Sequence, residues 1–274
     1  KRAQQSILVD SENCDENIEY RNELLSKEPK DIDDYLQIGN ISLYLCDFLT
    51  SSVYYSLCLP QINYLNQGQL YLICVTLMHF QSFQTALSIL APIADHIQEP
   101  YRWDAHYRCG IMNLKLLQFE AALNEFNMVK DANDIPWVVA YDIIILISHV
   151  YFLKDNIDAA INVIESADKL LPGILQQRCF LYLVSNNQSK MEEGLKILYE
   201  HCATSKYPYL LYLQSRLYYK KGFNKEAFDA MTWAIKLKDD DPLYWLAMGN
   251  IYFISAQLQE ASLCYNRAIM YDKN

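Results

Sequence analysis

Glycine and proline are scarce in this chain, seven and eight in 274 residues. A sequence so poor in the residues that set sharp turns suits long helices. No run of 18 apolar residues occurs. The densest stretch, Ile143 to Leu153, is broken by Ser148 and His149 and is too short to span a bilayer. No cleavable leader is evident, since Lys1-Arg2 opens onto a polar, acidic segment. Basic residues are outnumbered, 23 against 33, and the net charge of −10 argues against binding a phosphate backbone. An acidic scaffold favours basic partner segments, although a solvated acidic surface is the plainer account.

Patterns that carry chemistry are missing too. None of the eight cysteines forms a C-x-x-C pair, and several stand where a helix face needs a small apolar residue. They read as reduced core residues of a cytosolic or nuclear protein, not as a disulfide framework. There is no H-E-x-x-H, P-loop, G-x-G-x-x-G or G-x-S-x-G. His106 and Cys109 lie one helical turn apart, but with no second pair nearby no metal is expected. Glu192-Glu193 and Asp239-Asp240-Asp241 read as a helix start and a loop. No catalytic residue and no cofactor are expected.

What the chain does contain is an internal repeat. Tyr218, Ala227 and Ala234 recur 34 residues later as Tyr252, Ala261 and Ala268. A period of 34 with small residues at fixed offsets is the signature of the tetratricopeptide helix pair. In that pattern the first helix carries a large residue at offset 4, a small one at 8 and an aromatic at 11. The second carries small residues at 20 and 27 and a large one at 24. Offsets 8, 20 and 27 mark where two helix axes approach closely, so a long side chain there would push them apart. Trp245, Gly249, Tyr252, Ala261, Tyr265 and Ala268 fill all six positions. Leu211, Ser215, Tyr218, Ala227, Met231 and Ala234 do the same one unit earlier, with Gly222 at the inter-helix turn.

Followed upstream, the offset-20 residues are Ser51, Ala86, Ala122, Ala160, Gly194, Ala227 and Ala261, spaced 33 to 38 apart. The spacing predicts an all-α tetratricopeptide-repeat superhelix, an α-solenoid, of about seven helix pairs. Residues 31–274 form one array, and residues 1–30 are the partly irregular end of a preceding repeat. Asn17 to Pro29 reads as a lone second helix stopped by Pro29. The last helix shows Leu258, Leu263, Ile269 and Met270 with no polar cap after it, so the array is expected to continue in a longer protein.

The repeat also specifies a surface. Offsets 2, 5, 9 and 12 of the first helices face the inner wall of such a superhelix. The residues there include Asn40, Tyr71, Tyr107, Ile111, His149, Phe152, Phe180, Tyr209, Tyr212, Arg216, Tyr219, Asn250 and Phe253. An aromatic wall with a few amide and guanidinium groups can hold a peptide by packing and main-chain hydrogen bonds. A carboxylate clamp is not expected: Leu36 and Leu246 stand where its lysines would precede Asn40 and Asn250.

The C-terminal units resemble a particular family. Asp241-Pro242-Leu243-Tyr244-Trp245, Gly249-Asn250-Ile251-Tyr252-Phe253-Ile254-Ser255 and Tyr265-Asn266-Arg267-Ala268-Ile269 are similar to the late repeats of the fungal general transcriptional co-repressor. That protein works with a WD-repeat partner, and the TPR-bearing histone demethylases carry the same repeats. Leu175-Gln176-Gln177, Leu181-Tyr182 and the irregular turn after them match the atypical repeat of those proteins, and Ile135-Pro136-Trp137 has a counterpart in their longer linker. The resemblance implies a non-catalytic nuclear, also cytoplasmic, co-repressor subunit. It would bridge DNA-bound regulators and a WD-repeat co-repressor without touching nucleic acid or membrane. The rival resemblance is to the tetratricopeptide subunits of the anaphase-promoting complex, a ubiquitin ligase, whose partners would be the other subunits of the complex.

Overall fold

The computed structural model describes residues 14–27, 31–98, 101–132, 135–167, 171–202 and 207–272. Every regular element among them is helical. Helix α1 is Cys14–Ser26, and seven pairs follow. They are α2 (Ile32–Tyr44) with α3 (Phe48–Cys58), α4 (Gln67–His79) with α5 (Phe83–Ala94), and α6 (Arg102–Lys115) with α7 (Phe119–Lys130). Next come α8 (Trp137–Leu153) with α9 (Ile157–Glu165), and α10 (Pro172–Ser185) with α11 (Gln188–Cys202). The last are α12 (Pro208–Lys220) with α13 (Asn224–Leu237), and α14 (Pro242–Ile254) with α15 (Leu258–Tyr271). A 3-10 segment, Leu59–Tyr64, kinked at Gln61, follows α3. The expected all-α array of seven pairs is therefore what forms. The expected lone helix before it is α1, while its proposed stop, Pro29, lies outside the described residues. The chain divides into two compact units, Lys1–Ile135 with α1 to α7 and Pro136–Asn274 with α8 to α15.

The helices are not long. They run from 9 to 17 residues, and the shortage of glycine hides seven tight turns. Each turn within a pair needs one left-handed residue, and only Gly222 is a glycine. Cys46, Gln81, Leu117, Asp155, Asn186 and Ala256 take φ between 55° and 59° at the other six. A non-glycine residue pays about 1 kcal/mol or more there, which the packing of the flanking helices offsets. Elsewhere the ends follow simple chemistry. Asp31, Asp47, Asn66, Asn156 and Asp241 accept hydrogen bonds from first-turn N–H groups. Pro172, Pro208 and Pro242 open α10, α12 and α14, where no N–H is needed.

Within pairs the close approach is made in two ways. Gly39, Gly110 and Gly249 lie flat beneath the rings of Tyr55, Phe126 and Tyr265. A Cβ at any of them would come closer than 3.0 Å to ring carbons. In three other pairs the first helix carries Ser or Cys, and that side chain donates across the pair to the carbonyl of the offset-20 alanine. Ser148 Oγ reaches Ala160 O at 2.9 Å, Ser215 Oγ reaches Ala227 O at 2.6 Å and Cys74 Sγ reaches Ala86 O at 3.5 Å. The residue opposite is then aliphatic: Ile164, Met231 or Leu90. Ala227 and Ala261 are 0% and 2% exposed, as the repeat requires.

One expected position is corrected. Gly194 does not occupy offset 20 of the fifth pair; Met191 does. In every pair that residue follows the left-handed one by five positions, and its N–H bonds to the carbonyl four residues back. From Asn186 this leads to Met191, whose N–H bonds to Asn187 O at 2.9 Å. Met191 is buried, and Gly194 instead sits against Tyr182 and Leu217, where a Cβ would lie 3.2 and 3.3 Å from their side chains. The frame does not shift: Met191 stands 12 residues after Cys179, as Ala160 stands after Ser148 and Ala227 after Ser215, and this pair carries a large residue at that position. A polar cluster closes this pair. Tyr182 Oη donates to Glu165 at 2.5 Å, Arg178 donates to Tyr182 at 2.8 Å and to Glu193 at 2.6 Å, and Lys190 pairs with Glu165 at 2.5 Å.

Candidate functional site

In the second unit the first helices lie side by side: α10 touches α8 and α12, and α12 touches α14. Their shared face carries a concavity of about 410 Å³ lined by side chains of α8, α10 and α12 alone. Ile145, His149 and Phe152 come from α8, Gly173, Gln176, Gln177 and Phe180 from α10, and Tyr209 from α12. Phe152 meets Phe180 edge-on at 5.2 Å. Tyr209 stacks on Tyr212 at 5.4 Å, and Tyr212 continues to Tyr244 at 5.5 Å. The Arg216 guanidinium lies 5.9 Å from the Tyr212 ring centre. Beyond it Arg216, Tyr219 and Asn250 share a narrow crevice between α12 and α14. Heptad-like spacing on α12 (Tyr209, Tyr212, Arg216, Tyr219) puts all four on one helix face. His149, Tyr212, Arg216, Tyr219 and Asn250 are thus brought onto one wall, with Phe152, Phe180 and Tyr209. Phe253 is on α14 and 59% exposed.

Two polar atoms of this wall are buried with no hydrogen-bond partner, Gln177 Nε2 and Arg216 Nε. Burial also raises the phenol of Tyr244 to about 12, with the nearby Asp241 carboxylate adding to the effect. Burial, then the neighbouring Tyr212, raises the phenol of Tyr209 as well.

The first unit holds Asn40, Tyr71 and Tyr107. Tyr71 on α4 donates to Asp104 of α6, and Arg108 donates to Tyr71 Oη at 2.9 Å and to Asp104 at 2.7 Å. Burial, then the bond to Asp104, pushes the Tyr71 hydroxyl up to about 12. Tyr71 also borders a concavity of about 440 Å³ with Leu72, Ile97 and Tyr101. Tyr107 is half-buried on α6.

The two asparagines also hold tyrosines within their own pairs. Tyr55 Oη donates to Asn40 Oδ1 at 2.6 Å, and Tyr265 Oη donates to Asn250 Oδ1 at 2.9 Å. In both pairs a Gly-Asn step in the first helix seats a tyrosine 15 residues on. Glycine admits the ring and asparagine accepts its hydroxyl. Sequence reading missed Gln177, Ile145, Asp104 and Arg108. Gln176 stood at a wall offset and was passed over for its aromatic neighbours.

His106 and Cys109 belong to no cluster of three metal-ligating side chains among the described residues. His106 Nδ1 is 2.7 Å from Glu125 Oε2, tying α6 to α7, and its buried Nε2 faces Asp95 at 3.4 Å without a hydrogen bond. Cys109 is buried, and burial pushes its thiol up to about 12. No cluster of three metal-ligating side chains occurs among the described residues, and none of their helices is long and apolar enough to cross a membrane.

Comparison with solved structures fixes the architecture. A tetratricopeptide repeat protein from Parabacteroides merdae superposes with a TM-score of 0.67 at 14% identity, covering 89% of this chain and 94% of that one. A thermophilic TPR protein of Thermus thermophilus gives 0.51 at 17% identity, covering 62% of this chain and 91% of that one. The fold is that of tetratricopeptide-repeat proteins. No family model and no curated protein matches the sequence. At such identities the tetratricopeptide likeness carries the architecture and says nothing of partners.

Proposed function

We propose that this protein is a non-catalytic interaction scaffold whose second unit holds a segment of a partner protein on the wall formed by α8, α10, α12 and α14. The observation that carries this reading is the 410 Å³ concavity lined solely by first-helix residues and rimmed by a continuous aromatic strip. Aromatic side chains supply contact area at small entropic cost, and they are the residues that dominate binding at interfaces.

The sequence resemblance in the last repeats supports a narrower role, a nuclear transcriptional co-repressor subunit that bridges DNA-bound regulators and a WD-repeat co-repressor. Photo-crosslinking tests both levels. A benzoylphenylalanine placed at Phe180, on the wall, is expected to yield protein adducts in nuclear extract. The same residue at the outward, 71% exposed Tyr199 is expected to yield none. Equal adducts at the two positions would refute the wall as the binding face. Adducts drawn from ubiquitin-ligase subunits, with no WD-repeat protein among them, would replace the co-repressor role with a structural one in the anaphase-promoting complex.

A further inference from the structure

The chain is acidic, yet its charge is not evenly spread. Helices α10, α12 and α14 contain no Asp or Glu at all, and α8 contains only the exposed Asp142 in its first turns. Every second helix of the same unit, α9, α11, α13 and α15, carries at least one carboxylate. The acidic surplus is thus displaced to one side of each pair, and the wall is left without it. Asp241, beside Tyr244, is engaged in capping α14 and in an ion pair with Lys238 at 3.2 Å.

The cations of α10 and α12 are not equivalent either. Arg178 is bound to Tyr182 and Glu193, and Lys220 to Leu183 O and Asn186 Oδ1. Arg216 makes no hydrogen bond or ion pair with any described residue, and its Nε is buried. It lies over the Tyr212 ring, which holds the guanidinium plane in place while leaving its hydrogen-bond donors unused. Gln177 Nε2, on the neighbouring helix, is a second buried donor without an acceptor. An unsatisfied buried donor is costly, and a ligand that supplies an acceptor removes that cost. Between these donors, Tyr209 and Tyr212 connect the apolar concavity to the Arg216 crevice.

Resting on the peptide-wall reading above, we infer that the wall selects an acidic segment: an internal stretch of a partner chain with a bulky apolar side chain for the concavity and a nearby Asp or Glu for Arg216. The net charge of −10 would by itself suggest a basic partner, so the two expectations are opposite. The carboxylate is a side chain of the partner and not its C-terminus.

A random dodecapeptide library with acetylated and amidated ends, selected on the 274-residue chain, tests this. Selected peptides are expected to be enriched in Asp or Glu within a few residues of Phe, Leu or Trp. Replacing that acid by its amide should weaken binding about tenfold, as expected for a lost charge-assisted hydrogen bond. Arg216→Gln should weaken the parent peptide similarly, and the two changes together should cost little more than one. Arg216→Lys keeps the charge and should keep the preference for acid, which separates recognition from any loss of folding. Peptides enriched for Lys and Arg, or acidic peptides indifferent to Arg216, would overturn this inference while leaving the peptide wall standing. Failure to enrich any peptide would remove both.

Discussion

Glu165 shows how single residues hold the irregular pair. Burial opposes its ionisation, but Lys190, Tyr182 and Arg178 outweigh burial and keep its carboxyl below the usual range. A depressed carboxylate contributes stability that is complete above its unfolded value, about 4.3, and is lost as pH falls through the folded value. Glu165→Gln is therefore expected to lower the urea midpoint at neutral pH. The gap to the parent protein should close as pH is taken down towards about 3. A gap that stays constant with pH would show that the carboxylate's charge contributes nothing. The cysteines expected in the core are there in five cases, Cys58, Cys74, Cys109, Cys179 and Cys264, while Cys46 is exposed in a turn. Cys58, Cys74 and Cys109 are buried, and burial pushes their thiols up to about 11, 12 and 12.

Pairs of helices are the level at which small residues acquire meaning. Gly110 faces Phe126, which is 0% exposed and has nowhere to move. Gly110→Ala should cost about 1–3 kcal/mol in thermal or chemical unfolding, as overpacking does. Adding Phe126→Leu should recover part of the loss, because the two changes share one contact. Gly249→Ala is expected to cost less, since the half-buried Tyr265 can swing outward at the expense of its bond to Asn250. Equal losses at the two glycines would contradict this account. The periodicity placed the offset-20 residue correctly in six of the seven second helices, where that residue is Ser or Ala. It misplaced Gly194 because a small residue was expected at offset 20, whereas Met191 keeps the constant spacing of 12 from Cys179.

Across the whole molecule, stability in a stack of pairs is set by what each helix touches on its neighbours. Helix α15 packs on α14 and leaves Leu263, Ile269 and Met270 between 65% and 74% exposed. Helix α12 is covered by α10, α11, α13 and α14. Native-state hydrogen exchange should therefore find α15 amides opening at much lower free energy than those of α12. Protection of equal size in both helices would mean that the second unit unfolds only as a whole.

The sequence by itself determined the helix pair, its recurrence and the residues of closest approach, since each follows from local periodicity and from the size a side chain may have where axes nearly touch. It also placed the aromatic strip on one side of α12, because helical spacing alone decides which residues share a face. Only the tertiary structure decided which polar groups are spent. Asn40 and Asn250 accept from tyrosines of their own pairs, Arg178 and Lys220 are consumed between helices, and Arg216 is left with donors to offer. Hydrogen bonding depends on distances of a few ångströms between segments far apart in the chain, and no one-dimensional pattern records them.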